Sequence, residues 1–250
     1  NPDDAFELGA LVETTKGMAQ AAEIYGAPFV SGKDSFYNYF KTDEGPISIP
    51  CTLLVSGFGV VEDAAHVVGS SLRKVGSKLC LVGQLSSGLA GSVFARMVMQ
   101  GSEDPEEDGL VFPNAPEFDE QTAFATYKSY YELVKKGGVL SAHDISEGGL
   151  AVTLSEMAFS GKGGITVNLG DIPTTEELQP AEYLFGETPG CLVIEVAPEH
   201  VALAESLGFP VIGESTAGSQ LVITDDETTF INASIPELKT LWQHGLTPYY

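Results

Sequence analysis

The amino-acid sequence predicts an α+β protein in two unequal parts, with a boundary near residue 62. Apolar residues recur at helical spacing in some segments and form short strand-like runs in others, without strict β-α-β alternation. The character of the chain changes near Asp63, where buried-strand patterns begin. The roughly 60 residues before this point contain one helix and a few strands, which make a poor independent core. We therefore expect residues 1–62 to be the end of a larger domain.

The first part opens with a predicted helix over residues 5–25, where apolar side chains follow helical spacing and Gly26 provides a normal stop. The stretch APFVSGKDSFYNYF then predicts a short apolar strand, a glycine-centred loop and an aromatic strand. The stretch GPISIPCTLLVSGFGVVED predicts a long strand, and Pro50 inside it indicates an edge or a bulge.

The second part mixes strands and helices. Its strand-like runs are, in order, GSKLCLVGQ, VLSA, GITVNLG, GCLVIEVAP, FPVIGES and SQLVITDD. Helices are predicted after the glycine-rich loop SSGLAGS, over residues 119–136, after the turn SEGG, near residues 200–207 and in the last stretch before a tail. The stretch GSEDPEEDGLVFPNAP is acidic and contains proline, which indicates a surface loop.

The composition, 43% hydrophobic and 19% charged over 250 residues, is that of an ordinary soluble globular protein. No apolar run reaches the roughly 18 residues of a membrane span, and no cationic segment precedes an apolar one at the start. The net charge of −23 argues against duplex nucleic acid as a partner, because phosphate backbones are bound by Lys and Arg. An acidic protein that binds a nucleotide usually holds a divalent cation between its carboxylates and the phosphates. The charge alternatively serves only to keep the protein soluble.

The three cysteines, Cys51, Cys80 and Cys191, are far apart in sequence and lie in apolar strand-like runs. None belongs to a Cys-x-x-Cys pair, so a zinc site is not expected. We interpret them as reduced, buried residues, which is typical of a cytoplasmic protein.

The stretch GVLSAHDISEGGLAVTLSEMAF carries the first candidate site, because an apolar strand breaks there into polar residues before an amphipathic helix. Asp144 is expected at the carboxyl end of the strand, where it could bind Mg²⁺. Ser146 can cap a helix that starts near Glu147, and it could bind a phosphate together with the first N–H groups of the helix. Gly148 and Gly149 allow close approach of another backbone or of a phosphate.

A purely structural interpretation of this stretch stays open, with Asp144 or Ser146 as a helix cap and the glycines making room for packing. A capping box would need Glu or Gln three residues after Ser146, where Gly149 stands, so capping alone explains the stretch poorly. His143 is a base, a ligand or a histidine tucked against the sheet.

Three other stretches are weaker candidates. The stretch SGKDS, residues 31–35, is either a phosphate or ribose contact or an ordinary hairpin, and it lacks the pattern of a Walker loop. The stretch SSGLAGSVFA, residues 86–95, is either an anion-binding loop at a helix start or a tight turn. Glu187, a lone acid before a buried strand, is interpreted as structural. No GxSxG elbow is present, so a nucleophilic triad is not supported.

Three segments occur in an order and spacing that resemble the C-terminal half of the synthetase region of the phosphoribosylformylglycinamidine synthase family: GAPFVSGKDSFYN, ISIPCTLLVSGFGVVED and SAHDISEGGLAVTLSEMAFSG. The resemblance covers most of residues 5–225, and the run HDxSxGGLAxxLxEMAF is its most specific part. It implies a C-terminal domain like that of aminoimidazole ribonucleotide (AIR) synthetase, PurM, over residues 63–235. The end of an N-terminal-type α/β domain, residues 1–62, would precede it, and a tail, residues 236–250, would follow.

The resemblance also implies a reaction, that of an ATP- and glutamine-dependent carbon–nitrogen ligase of purine biosynthesis. In this family ATP phosphorylates the amide oxygen of formylglycinamide ribonucleotide, and ammonia from glutamine displaces the phosphate to give the amidine. Two fused copies of one unit form a pseudo-twofold pair of sites. One site is catalytic, and the other holds an auxiliary nucleotide with Mg²⁺ in some members.

Five positions of this sequence match functional positions of the family. Gly32 corresponds to a glycine that contacts ATP across the pseudo-twofold axis, and Ser35 to a serine that contacts substrate. Lys33 stands where shorter members have a metal-binding Asn and longer members also have Lys, so metal binding there is not implied. Asp144 corresponds to the aspartate that binds Mg²⁺ in the auxiliary site. Ser146 corresponds to the serine that touches the auxiliary nucleotide.

The resemblance leaves several family features outside this chain. The catalytic histidines belong to the first half of the synthetase region, so no catalytic residue is expected here. The remaining ligands of the auxiliary site are expected just before Asn1. Gly190 stands where an Arg is expected, so an anion contact at that position is not implied.

These features predict a fragment that lacks synthetase activity by itself. Its expected ligands are ATP or ADP, Mg²⁺ and, in the full enzyme, formylglycinamide ribonucleotide. Its expected partners are the N-terminal half of the synthetase and a glutaminase domain or subunit, with no nucleic acid and no membrane. Since an incomplete first domain would expose apolar strands, a homodimer of fragments is a further expectation.

Two alternatives stay open. The first is another member of the AIR synthetase superfamily, a kinase or a synthetase, against which the loop HDISEGG argues. The second, from a different class, is a non-catalytic nucleotide-binding or assembly module.

Overall fold

A computed structural model of the chain describes residues 3–49, 51–104 and 109–245. The chain divides into two compact units, Asn1–Glu62 and Asp63–Tyr250. Among the helices that the structure describes, none has the length and apolar composition that a membrane crossing requires.

The first unit contains one long helix, α1 (Ala5–Tyr25), and a hairpin of two short antiparallel strands, β1 (Tyr39–Thr42) and β2 (Gly45–Ser48). The side chain of Asp4 caps the start of α1, and Gly26 ends it in the left-handed conformation with a φ of 60°. The helix that the sequence predicts over residues 5–25 is therefore confirmed.

The strands of the first unit are shorter than the sequence predicts. Within the described residues 27–38 and 51–62 no strand forms, so the predicted APFV strand and most of the long strand are wrong. Pro50 lies outside the described residues. Apolar side chains of these segments stay exposed, for example Phe29, Leu54 and Phe58. The physical reason is that a strand is stabilised by a paired neighbour and a covered face, and the described part of this unit supplies neither to these segments.

The second unit is built on a seven-stranded sheet in its described residues. Its strands are β3 (Lys78–Val82), β4 (Val139–Asp144), β5 (Gly164–Asn168), β6 (Leu192–Val196), β7 (Val211–Thr216), β8 (Gln220–Asp225) and β9 (Thr228–Ser234). Their spatial order is β4-β6-β3-β7-β5-β8-β9, and all neighbours are antiparallel except β5 and β8. This mixed architecture confirms the α+β class.

Six α-helices accompany the sheet in the described part of the second unit. They are α2 (Val93–Gln100), α3 (Glu120–Lys135), α4 (Gly149–Ser160), α5 (Pro180–Phe185), α6 (Val201–Ser206) and α7 (Ile235–His244). The sequence predicts all of them except α5. It also misses β9, because the run TTFINAS is polar and mostly exposed.

The core lies on both faces of the sheet, because side chains of successive strand residues point to opposite faces. On one face Leu79 and Leu81 of β3 join a buried cluster with α4. On the other face Cys80 and Val82 join a cluster with α3 and α6. Helix α4 packs on one of these faces, and its packing holds the turn that joins β4 to α4. The candidate site lies in this turn.

Helix α7 is part of this body, although the sequence divides the chain at residue 236 into domain and tail. Ile235 is buried in the α4 cluster, and Leu238 packs against that cluster. Residues 246–250 of the predicted tail lie outside the described residues.

Two of the three cysteines are buried as predicted, Cys80 and Cys191, whereas Cys51 is exposed in a segment that forms no strand. Burial raises the pKa of Cys80 to about 12 and that of Cys191 to about 11. Both side chains therefore stay uncharged thiols at neutral pH and act as apolar core residues.

Candidate functional site

At the end of β4, before the loop to α4, the Asp144 carboxylate faces solvent from a fixed backbone. Asp144 is the last residue of β4, as predicted, and its side chain is 67% exposed. The next residue, Ile145, is buried, and its N–H donates to the carbonyl oxygen of Cys191 at 2.9 Å. The turn is thereby attached to the segment that enters β6. An exposed carboxylate oxygen on an anchored turn is suited to bind a cation.

His143 is mostly buried beside Asp144, with 16% of its side chain exposed. Its Nδ1 lies 3.2 Å from Oδ1 of Asp144 and 2.9 Å from the carbonyl oxygen of the same residue. Its Nε2 lies 2.9 Å from Oε2 of Glu156 on α4. Each ring nitrogen thus lies within hydrogen-bond distance of an oxygen atom. His143 lies between two carboxylates. This arrangement fits a histidine tucked against the sheet better than a free base.

Ser146 does not cap the helix, so that prediction is wrong. Helix α4 begins at Gly149 rather than near Glu147, and its N-cap is Gly148, with a φ of 82° and no side-chain cap. The carbonyl oxygen of Ser146 accepts the N–H of Gly149 at 2.9 Å. The side chain of Ser146 is exposed, and its hydroxyl has no hydrogen-bond partner among the described residues. The hydroxyl therefore stays available to an external acceptor.

The second glycine of the turn makes room for the chain's own backbone rather than for a phosphate. Gly149 has a φ of 67°, and a Cβ there would lie 2.7 Å from the Cα of Phe185 at the end of α5. Of the two uses that the sequence leaves open, the structure shows close approach of a backbone.

Glu187 connects the end of this turn, where α4 begins, to another loop. Its Oε1 accepts the N–H of Gly148 at 2.9 Å and the N–H of Val93, the first residue of α2, at 2.8 Å. Its interpretation from sequence as a structural acid is confirmed by these contacts. A carboxylate at the start of a helix also suits the positive end of the helix dipole. The N–H of Gly148 at the start of α4, considered above as a donor to a phosphate, is therefore already hydrogen-bonded to Glu187.

The glycine-rich loop 86–95 is likewise bound by glutamates of the same chain. The N–H and hydroxyl of Ser87 donate to Oε1 of Glu176 at 3.2 and 2.7 Å, and the N–H of Gly88 donates to Oε1 of Glu182 at 2.9 Å. The hydrogen bonds from Ser87 lower the pKa of Glu176. An external anion would have to displace these carboxylates, so the tight-turn interpretation of this loop is favoured.

Sequence reasoning missed one buried acid, Glu195 in the middle of β6. It is 0% exposed and accepts four hydrogen bonds, from the N–H groups of Arg73 and Lys74 at 2.8 Å each, from the hydroxyl of Ser77 at 2.7 Å and from that of Ser141 at 2.8 Å. Since both oxygens are used by the chain itself, the role is structural. The signal was present, because a single acid interrupts the apolar run CLVIEV.

The candidate residues of the first unit lie in an exposed segment without strands, so the predicted hairpin around SGKDS is wrong. Lys33 contacts the hydroxyl of Ser35 through its ammonium group, which also donates to the carbonyl oxygen of Asp34 at 2.8 Å. A Cβ at Gly32 would meet no atom within 4 Å among the described residues, so packing within the unit does not require this glycine.

The described residues contain no group of three or more His, Cys, Asp and Glu that could hold a metal ion. Asp144 by itself can supply one oxygen ligand. Mg²⁺ is commonly held by one or two carboxylates together with phosphate oxygens and waters, so a single exposed Asp beside a phosphate fits part of such a ligand set.

Comparison with known families places this loop in a wider context. The family model "AIR synthase related protein, C-terminal domain" matches residues 74–226. The chain belongs to this family. The matched residues of this AIR synthase-related chain include Asp144, Ser146, Glu187 and Glu195, whereas α7 lies beyond them.

Curated relatives of the AIR synthase-related chain are named phosphoribosylformylglycinamidine synthase subunit PurL. The protein from Thermoplasma acidophilum is 31% identical over 254 residues, which cover 100% of this chain and 31% of the relative. The protein from Lactobacillus acidophilus is 34% identical over 248 residues, which cover 97% of this chain and 30% of the relative. The chain thus spans about a third of the length of these relatives. The resemblance to the synthetase region of this enzyme family is confirmed.

Solved structures of Thermotoga maritima proteins share the fold. PurL complexed with FGAR superposes with a TM-score of 0.63 at 18% identity, covering 89% of this chain and 36% of that one. The PurLQS structure gives a TM-score of 0.60 at 16% identity, covering 89% and 35%. At these identities the likeness establishes the fold alone.

Gly190 of the AIR synthase-related chain occupies the position where the family resemblance leads one to expect Arg. Its φ is 84°, and a Cβ there would lie 3.0 Å from Cε2 of Phe118 and 3.3 Å from the hydroxyl of Tyr127. Aromatic side chains fill the space in which a longer side chain would start. An arginine contact to an anion is therefore absent at this position.

Proposed function

We propose that this chain forms part of a phosphoribosylformylglycinamidine synthase, a carbon–nitrogen ligase that uses ATP and glutamine-derived ammonia to convert formylglycinamide ribonucleotide to its amidine. The observation that carries the proposal is the pairing of an exposed Asp144 carboxylate with an exposed Ser146 hydroxyl on one anchored turn. The relatives named PurL match along the whole chain, and Thermotoga maritima PurL structures are described as complexed with ATP, ADP and FGAR.

In this proposal the residues of the two units have separate tasks. Asp144 supplies one carboxylate oxygen to Mg²⁺, and Ser146 donates its hydroxyl to a phosphate of an auxiliary nucleotide. The cation, when bound, neutralises phosphate charge that would otherwise repel the carboxylate. Gly32 contacts ATP and Ser35 contacts formylglycinamide ribonucleotide, whereas Lys33 is not assigned to the metal.

The proposal also assigns the units and their partners. Residues 1–62 form the end of an N-terminal-type domain, and residues 63–235 form a C-terminal-type domain. The remaining metal ligands and the catalytic histidines come from the part of the synthetase that the relatives have and this chain does not span. In this proposal a glutaminase partner supplies ammonia in the cytoplasm, and the exposed apolar segments of the chain pair with a second copy.

We expect no amidine formation by this chain alone and clear activity from a protein extended upstream to the length that the relatives cover. The physical reason is that a single carboxylate cannot complete a metal site, and no catalytic residue is assigned here. The assay is ATP-dependent formation of the amidine from formylglycinamide ribonucleotide with ammonia or with glutamine and a glutaminase. Activity of the chain alone would refute its assignment as a part, and an inactive extended protein would refute the ligase.

A non-catalytic nucleotide-binding module is the second candidate, because the exposed Asp144 and Ser146 on the anchored turn suit a bound nucleotide with or without catalysis. It predicts ADP binding by the extended protein without amidine formation. The same assay, combined with ADP titration, therefore separates the two functions.

A further inference from the structure

A chain of polar contacts connects Asp144 to α7, the last helix that the structure describes. The indole N–H of Trp242 on α7 donates to Oε1 of Glu156 on α4 at 3.0 Å. The other carboxylate oxygen, Oε2, lies 2.9 Å from Nε2 of His143, whose Nδ1 lies 3.2 Å from Oδ1 of Asp144. Four side chains from β4, α4 and α7 thus form one polar network that ends on the exposed carboxylate.

The side chains in the middle of the network are buried enough for their hydrogen bonds to fix their orientation. The side chains of His143 and Glu156 are 16% and 30% exposed, and hydrogen bonds in partly buried surroundings are stronger than in water. The hydroxyl of Thr153 donates to the carbonyl oxygen of Asp144 at 2.9 Å. Both the backbone and the carboxylate of Asp144 are therefore held by neighbours.

The hydrogen bond to Glu156, rather than burial in the core, holds the side chain of Trp242 in position. The residue is 61% exposed, and its ring lies against Phe159 of α4 with a centroid distance of 5.4 Å. Indole combines an apolar ring system with one N–H donor, so a tryptophan at the surface usually packs its ring against the protein and hydrogen-bonds its N–H. Helix α7 lies beyond residues 74–226, so the family model does not include this end of the network.

We propose that His143 is a positioning residue for Asp144, and that Trp242 anchors His143 through Glu156. This inference rests on the proposed function of Asp144 as a ligand of Mg²⁺. Partners that orient a metal-binding side chain typically change metal affinity about 10- to 100-fold when removed. We expect His143→Ala to weaken Mg²⁺-dependent ADP binding about tenfold, and Trp242→Phe about threefold because it acts two contacts further away.

The first test needs no ligand. Trp242→Phe keeps a ring against Phe159 and removes only the N–H donor, and Leu241→Ala, 70% exposed on the same helix, is the matched control. We expect hydrogen–deuterium exchange of the amides of residues 144–149 to accelerate about threefold in Trp242→Phe and to stay unchanged in Leu241→Ala. Exchange rates equal to those of the unmodified protein in both variants would overturn the proposal.

The second test uses ADP and Mg²⁺ on the extended protein, by calorimetry. Since His143 and Trp242 act on one network, the double variant should bind no more weakly than His143→Ala alone. Additive losses would show that Trp242 acts elsewhere and would overturn the anchoring role. An unmodified protein that binds no ADP would refute the proposed function, while the exchange measurement still decides the anchoring role of Trp242.

Discussion

Replacing Glu195 with alanine should lower the free energy of unfolding of the second unit by about 3 to 5 kcal/mol. The reason is that each buried hydrogen-bond donor that loses its acceptor costs about 1 to 3 kcal/mol. The carboxylate is fully buried in β6 and accepts four hydrogen bonds. Two of the donors are the backbone N–H groups of Arg73 and Lys74, which attach the segment before β3 to the sheet. Alanine leaves these donors without an acceptor and also leaves a cavity.

Urea denaturation followed by circular dichroism measures this loss. Glu195→Gln keeps the volume and one acceptor oxygen, so we expect a smaller loss of about 1 to 2 kcal/mol. The control is Glu214→Ala on β7, which is separated from β6 by β3 and where an exposed ion pair with Lys78 is worth at most about 1 kcal/mol. Equal effects of Glu195→Ala and Glu214→Ala would contradict the structural role of Glu195.

Replacing Gly149 with alanine should lower the free energy of unfolding by about 3 kcal/mol, because left-handed backbone and overpacking add. The φ of 67° disfavours any side chain, and the new Cβ would lie 2.7 Å from both the Cα and the carbonyl carbon of Phe185. The backbone of Phe185 cannot move without shifting α5, and the backbone of Gly149 cannot move without shifting the start of α4. The displaced turn would also move Asp144 and Ser146, so we expect weaker nucleotide binding together with lower stability.

Gly208→Ala separates the two contributions. Gly208 has a φ of 87°, but a Cβ there would meet no described atom within 4 Å. This variant should therefore lose only the conformational part, about 1 kcal/mol. If both variants lost the same amount, crowding against Phe185 would not be the reason for glycine at position 149.

Much of the second unit could be predicted from sequence because its signals are local. The run KLCLV alternates between two buried faces, and the helix over residues 120–135 begins after a capping Asp119. Strand β9 escaped prediction for the opposite reason. β9 is polar and pairs only at the edge of the sheet, so its stabilisation comes from β8 rather than from its own pattern.

The first unit shows how an apolar pattern can fail to predict a strand. Val55, Phe58 and Val60 have the residue types of a strand, yet they lie in an extended segment with exposed side chains. Strand formation depends on neighbours that the local sequence does not contain. The pattern there indicates a segment suited to pair with other strands, and no described residue of the unit pairs with it.

At the candidate site the sequence located Asp144 correctly, because the apolar pattern of β4 ends there. The details of the turn depended on residues far along the chain. Glu187, 39 positions after Gly148, binds the N–H that a helix cap would have taken. Phe185 explains why residue 149 is glycine. No local pattern encodes such contacts, so the assignment of Ser146 as a cap was wrong.

The central claim, that Asp144 and Ser146 form part of a metal–phosphate site, is tested most directly by calorimetric titration of ADP. The protein is extended upstream, and Mg²⁺ is present or removed by chelation. Asp144→Asn removes the charge at nearly constant shape, and Glu147→Gln, an exposed acid in the same turn, is the matched control. We expect Mg²⁺-dependent binding that weakens at least about tenfold in Asp144→Asn and is unchanged in Glu147→Gln. Binding that is independent of Mg²⁺, or equal in the two variants, would contradict the claim.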